Sequence, residues 1–187
     1  MTDPIDLEGR LLIAMPGMPD PRFHQAVVLI CSHTSEGALG LIVNKPTGQL
    51  DFAQLVSRMG IASGGSFRDM AVHFGGPVDE TRGFVLHTSD HDFGDGTLTV
   101  GDFALTGTVD VLELIARGQG PERAILAIGY SGWGPGQLED EIGANGWLLG
   151  DPDPDLVFGA DDDGKWRAAL EGIGVDPRML SGTAGHA

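Results

Sequence analysis

The stretch Arg123-Ala-Ile-Leu-Ala-Ile-Gly-Tyr-Ser-Gly-Trp-Gly-Pro-Gly-Gln-Leu-Glu-Asp-Glu-Ile-Gly-Ala-Asn-Gly-Trp-Leu-Leu149 decides the fold. It opens on an apolar, β-branched run and passes through a glycine-rich segment bearing Tyr130 and Trp133. It then enters a short segment begun by Glu139, Asp140 and Glu141. The reading is a buried strand, a tight turn carrying two aromatics, and a helix whose first-turn acids complement its dipole. Leu138, Ile142, Asn145 and Leu149 fall on one face of that helix at offsets of 4, 7 and 11. Gly146 is placed as its left-handed C′ residue and Trp147 as the C″ residue packing back on Ile142.

Outward from this stretch, the N-terminal side gives strands at 10–16, 26–33 and 38–44. The last two form a hairpin across a Ser-Glu-Gly turn. Lys45-Pro46-Thr47-Gly48 reads as a stop. A helix over 51–59 places Phe52, Leu55, Val56 and Met59 on one face, and Gly60 ends it. Ser63 to Ser66 reads as a surface loop. Short strands follow at 71–74, 83–88, 97–100 and 103–105, and Thr108 or Asp110 caps a helix to Arg117. On the C-terminal side, one helical turn ends at Val157, a helix runs from Lys165 to Gly172 with Asp163 as cap, and another turn starts at Asp176-Pro177. The end, 181–187, is a tail of small residues. Strands arrive mostly as hairpins, with helices singly between them. The fold class is α+β with a mixed, largely antiparallel sheet and about three to five helices. At 187 residues, one domain over 1–187 is expected.

Composition excludes several functions. The net charge is −16, with only 11 Lys and Arg and no basic cluster. Nucleic-acid affinity comes largely from cations neutralising phosphates, so direct DNA or RNA binding is disfavoured, as is an anionic membrane surface. No apolar run approaches a membrane span, no signal peptide is expected, and the lone Cys31 cannot form an internal disulfide. The expected compartment is the cytoplasm.

The chemical motifs fail one by one. The segment Gly129-Tyr-Ser-Gly-Trp133 resembles a nucleophile elbow, but glycine is needed where Trp133 stands, so Ser131 is read as a turn hydroxyl. The glycine-rich turn could hold an anion, yet three acids open its helix and the spacing matches no nucleotide motif. Of six histidines only His87 and His91 stand four apart, on a strand end and an acidic turn rather than on a helix, and no second cysteine joins them, so no metal and no cofactor are expected. Asp161-Asp-Asp-Gly164 lacks the acids a calcium loop needs at its first and twelfth positions. This run and Asp151, Asp153 and Asp155 are read as solvated turns. Cys31, within an apolar strand, is read as inert.

Four segments in order carry a resemblance. They are Gly9 to Phe23, Glu36 to Pro46, Gly75-Gly-Pro-Val78 with Gly83-Phe-Val-Leu-His87, and Gly129 to Leu148. Together they resemble the YqgE/AlgH family of bacterial proteins, also called UPF0301 or DUF179, over nearly the whole chain. The resemblance implies a cytosolic bacterial protein whose bifurcated sheet folds into a pseudo-barrel. It implies no reaction. The family's description as a transcriptional regulator comes from alginate-associated members. The expectation is therefore a non-enzymatic binding or regulatory protein with a protein or small-molecule partner. Its contacts are Asn44, Tyr130, Trp133, Gln137 and Glu139, around a groove near Trp133. The alternative is a small-ligand binder or enzyme whose site assembles from dispersed residues such as His33, His87, Asn44 and Glu139.

Overall fold

A computed structural model describes residues 5–62, 70–107 and 109–180. The loop at 63–66, the cap at Thr108 and the tail at 181–187 lie outside the described residues. Ten strands and five α-helices are present among those described. The strands are β1 (Leu11–Ala14), β2 (Val27–Thr34), β3 (Gly37–Ile42), β4 (Pro46–Asp51), β5 (Ala71–Phe74), β6 (Val78–Thr88), β7 (Thr97–Val100), β8 (Phe103–Thr106), β9 (Ala124–Trp133) and β10 (Trp147–Gly150). The helices are α1 (Phe52–Arg58), α2 (Val109–Ala116), α3 (Gln137–Gly143), α4 (Pro154–Val157) and α5 (Asp162–Gly172). None of the described helices is long and apolar enough to cross a membrane.

The main path of the sheet runs β10-β1-β2-β3-β9-β6-β8-β7. Every pairing is antiparallel except β5 with β9. One edge of β9 serves two partners. Its end, Ser131 to Trp133, pairs with Gly40 to Ala38 of β3, while Leu126 to Ile128 pair in parallel with Val72 to Phe74 of β5. The sheet forks between these two contacts. The fork is made of backbone packed on backbone. Gly129 has φ +74°, and a Cβ there would lie 2.4 Å from the Gly76 carbonyl oxygen. Gly76 has φ +152°, and its Cβ would lie 2.2 Å from the Tyr130 carbonyl. Only glycine tolerates both the torsion and the approach. The buried Ser131 hydroxyl donates to the Gly75 carbonyl at 3.1 Å, and Ile42 N–H donates to the same oxygen at 3.0 Å. Ser131 is thus a structural hydroxyl at the fork.

The sheet curls into a half-barrel. A Cβ on Gly9, just before β1, would sit 3.1 Å from Val100 of β7, at the far end of the path. Leu11, Ile13, Leu29, Phe103 and Leu105 face the concave side, where Val157 of α4 and Trp166 and Leu170 of α5 cover them. The opposite face of β1 and β2, Leu12, Ala14, Val28 and Ile30, packs with Trp133, Leu138 and Trp147. Phe52 and Val56 of α1 and Val111, Leu112 and Ile115 of α2 cover Val72, Val85 and Leu126. Each fully buried Leu, Ile or Phe contributes about 1.5–3 kcal/mol by leaving water, so these clusters hold the strands without staples.

Four boundaries differ from the sequence reading. Pro46 to Asp51, read as a stop through Gly48 and a helix start from Leu50 or Asp51, is an edge strand with a bulge, where Pro is tolerated. β6 begins at Val78 rather than Gly83; its first residues are exposed, so their polarity hid them. The turn in the deciding stretch is shorter than expected: Tyr130 to Trp133 lie within β9, leaving Gly134 to Gly136 as the turn. Helix α3 ends one residue early. Asn145 takes the left-handed position at φ 60°, and Gly146 N–H closes the loop onto the Glu141 carbonyl at 2.8 Å. Trp147 therefore opens β10, pairing with Ala14, instead of packing as a C″ residue. Capping also shifts. Asp51 and Gln54 form a full capping box on α1, Asp110 lies inside the first turn of α2, and Asp161 rather than Asp163 caps α5.

Candidate functional site

At its C-terminal end β9 delivers Trp133 to a wall shared with α3 and β10. The strand alternates, so Trp133 points away from Gly132 and into the apolar cluster, where it is 7% exposed. Trp147 arrives on β10 at 2% exposure. The rings meet edge-on, with centroids 6.1 Å apart and planes at 76°. Phe23, in the loop between β1 and β2, meets Trp147 likewise at 5.6 Å and 79°. Two buried indole N–H groups need acceptors. Glu141 supplies both with one atom: its Oε2 accepts from Trp133 Nε1 at 3.0 Å and from Trp147 Nε1 at 2.8 Å. Its Oε1 accepts from Gln137 Nε2 at 3.0 Å, and Gln137 Oε1 accepts from Gly134 N–H at 3.0 Å. The glycine turn, the helix and both tryptophans are thus tied through one carboxylate.

This clamp forms one wall of a groove of about 770 Å³. Met15, Met18, Pro19 and Phe23 of the β1–β2 loop form the other wall, with Pro77 also contributing. Volume and apolar lining suit a small-molecule site.

The expected site residues divide. Trp133 and Gln137 line the groove. Tyr130 does not; it points to the other face of β9, edge-on to Phe84 at 5.9 Å. Trp133 and Tyr130 meet only along a shallow depression beside Val78 and Leu39. Asn44 is a buried brace: its Oδ1 accepts from Val27 N–H at 2.9 Å and its Nδ2 donates to the Gln25 carbonyl at 2.8 Å. Glu139 faces out of the groove and bonds His33 Nε2 at 2.7 Å. Its carboxyl is held below the usual value by its own backbone N–H and then by His33. Because His33 Nδ1 accepts from Leu7 N–H at 3.2 Å, the ring proton sits on Nε2 and points at Glu139.

Of the dispersed set, only His33 and Glu139 come together. His87 is fully buried, with Nδ1 donating to the Thr88 carbonyl at 2.8 Å and Nε2 accepting from the Thr106 hydroxyl at 2.7 Å. His73 goes elsewhere again, bonding Asp162 at 3.0 Å. Asp162 is not the solvated turn residue expected. Its side chain is 14% exposed and also binds Lys165 Nζ at 2.8 Å. Burial raises its pKa, but hydrogen bonds from His73 and Lys165 outweigh this and hold it below the usual value. Lys165, 3% exposed, completes its donors on the Val43 and Val157 carbonyls. The Cys31 thiol is pushed up to about 12 by burial and by Glu8. Among the described residues, no group of three or more His, Cys, Asp or Glu could hold a metal ion.

Sequence reasoning missed Glu141 and Trp147 as parts of the site. The signal available was their spacing: a glutamate four residues after Gln137 and six before a tryptophan, on a helix following another tryptophan. Glu141 was visible only as one of three dipole acids.

Known proteins place this architecture. The AlgH-like family model (DUF179) matches residues 11–178. A UPF0301 protein of Ruegeria pomeroyi is 56% identical over 185 residues, covering 98% of this chain and 100% of that protein. A UPF0301 protein of Cereibacter sphaeroides is 53% identical over 184 residues, with 98% and 100% covered. The solution structure of AlgH from Pseudomonas aeruginosa superposes with a TM-score of 0.76 at 37% identity, covering 100% of this chain and 99% of that one. A Corynebacterium diphtheriae protein shares the fold at a TM-score of 0.70 and 18% identity, with 91% and 89% covered. The forked half-barrel expected from the four segments is the one found, and the chain belongs to the AlgH-like, UPF0301 family.

Proposed function

We propose that this chain is a non-enzymatic binding protein of the bacterial cytosol with a regulatory role, and that its ligand seats in the Trp133–Trp147 groove. One observation carries the reading: a single carboxylate, Glu141, fixes two tryptophans and the end of a helix at the wall of a 770 Å³ apolar groove. Preformed aromatic walls of this kind bind at little cost in ordering. Trp133 and Gln137 are contacts, joined by Trp147, Met18 and Phe23, while Asn44 and Glu139 hold the scaffold behind them. The reading without chemistry is supported by where the reactive groups are spent. Ser131 is bonded to a backbone carbonyl, Cys31 is buried with a raised pKa, and His87 is closed in a hydrogen-bond chain. Regulation by direct DNA contact does not suit a net charge of −16.

The test uses Ala144, an exposed residue on the groove wall outside the core. A metabolite library is screened by thermal shift against the wild type and Ala144→Trp, which adds bulk to the groove. Compounds that stabilise the wild type and not the variant are expected. Compounds that stabilise both equally would place the site elsewhere.

A further inference from the structure

The charges lining the groove are Asp20, Arg22 and Glu141. Arg22 is already matched: its Nε lies 3.0 and 3.2 Å from the two Asp20 oxygens, and its Nη2 lies 2.8 Å from Oδ2. Glu141 is not. Its three hydrogen bonds all come from neutral donors, two indoles and an amide. Among the described residues no cation forms an ion pair with it. A carboxylate offers about four lone-pair sites, so with two bonds on Oε2 and one on Oε1 an acceptor position remains on Oε1. The groove therefore carries one net negative charge beside aromatic rings and thioethers, where a charge is screened less than in open water.

We propose, resting on the groove reading above, that the preferred ligand is a small organic cation: an amine or quaternary ammonium head on an apolar stem. Glu141 supplies the counter-charge at a wall lined by Trp133 and Trp147, whose rings, 7% and 2% exposed, are too buried to offer an open face. The wall holding Glu141 continues through Ala144, Asn145 and Gly146, which follow the end of α3 at Gly143 and bring no cation to the groove. The chain's net charge of −16 raises the local concentration of cations and disfavours anions. Met15, Met18, Phe23 and Pro77 accept the stem.

The test is a head-group series on one stem: hexyltrimethylammonium, hexanol and hexanoate, titrated into wild-type protein and followed by the indole N–H resonances of Trp133 and Trp147. The cation is expected to shift both resonances and to bind about tenfold more tightly than hexanol, a difference of the size that one ion pair in a partly desolvated groove gives. Its affinity falls with added salt, and hexanoate binds least. Glu141→Gln, which keeps an acceptor for the indoles, removes the preference for the cation. If hexanol binds as tightly as the cation, or the preference survives in Glu141→Gln, the cation assignment is overturned while the groove stands. If none of the three shifts an indole resonance, or Ala144→Trp binds the cation unchanged, the groove reading falls with it.

Discussion

The middle and the tip of β9 do opposite things within a few residues of each other. At Gly129 the strand is held by backbone against backbone, with no room for a side chain from Gly76 or Gly129. At Trp133 it is held by side chains, two indoles on one carboxylate. The middle splits the sheet and is sealed, and the tip borders a groove. A joint made of backbone leaves nothing to recognise a ligand, whereas a joint made of side chains can face a partner with the same groups that hold it. On the proposed groove reading, the strand separates shape from recognition along its length.

The strongest way to break this separation is to put a methyl group into the fork. Gly76→Ala would place a Cβ 2.2 Å from the Tyr130 carbonyl at φ +152°. Clash and torsion together are expected to cost about 4 kcal/mol or more, at the extreme of single substitutions. Urea denaturation of Gly76→Ala should show either a large fall in midpoint or no folded baseline. A loss below about 1 kcal/mol would mean that the fork yields, and the claim of a backbone joint would be wrong.

At the tip the expected loss is smaller and of a different kind. Glu141→Leu strands two buried indole N–H groups, each costing about 1–3 kcal/mol when unsatisfied. A total in the lower part of the resulting range, roughly 2–4 kcal/mol, is expected because Glu141 is only half-buried and water can reach the vacated position, with a changed near-ultraviolet circular dichroism signal from the tryptophans and a cooperative transition retained. If Glu141→Leu unfolds the chain as fully as Gly76→Ala, the clamp is part of the fold's framework and not a separable recognition surface. If stability is unchanged, the indoles find other acceptors and the groove wall is not fixed by Glu141.

This contrast also explains what the sequence disclosed. The fork was implied by the family resemblance alone: Gly75, Gly76 and Gly129 show in the sequence only as glycines, and which backbone each one approaches is set by tertiary structure. The hairpin of β2 and β3 and the face of α1 were legible from period and turn chemistry. β10 was not. Its pairing with β1 joins Trp147 to Ala14 across 133 positions, and no local pattern marks such a partner. β4 was hidden by Pro46 and Gly48, which read as a stop unless the strand is known to lie at an edge. Within the site, Trp133 and Gln137 are legible because they sit in or beside the glycine-rich segment. Glu141 is not legible, because its role depends on two indoles brought together from different strands. Asn44 and Tyr130 look like polar and aromatic contacts in sequence, and tertiary structure assigns them to a backbone brace and to the opposite face.

The mildest perturbation is a proton at the other end of β9, where His87 of β6 pairs with Ala124. His87 is fully buried and its pKa is lowered, first by burial, against a raising hydrogen bond to the Thr88 carbonyl and the charge of Asp90; nearby His91 lowers it further. Its neutral form completes a chain in which Thr106 donates to His87 and Thr97 bonds Thr106 at 2.9 Å. The sign follows from linkage. In the unfolded chain the imidazole titrates near 6.5, above its folded value, so as pH falls the unfolded state takes the proton first. The stability from this group is complete above about pH 6.5 and is lost as pH falls through the folded value. Urea midpoints should therefore drop as pH is lowered below 6.5, and His87→Gln should flatten that slope, while carboxylates with lowered pKa such as Asp162 act only at more acid pH. The indole resonances of Trp133 and Trp147 should hold their positions across this window. If they move with the His87 titration, the two ends of β9 are coupled, and the separation of shape from recognition along this strand does not hold.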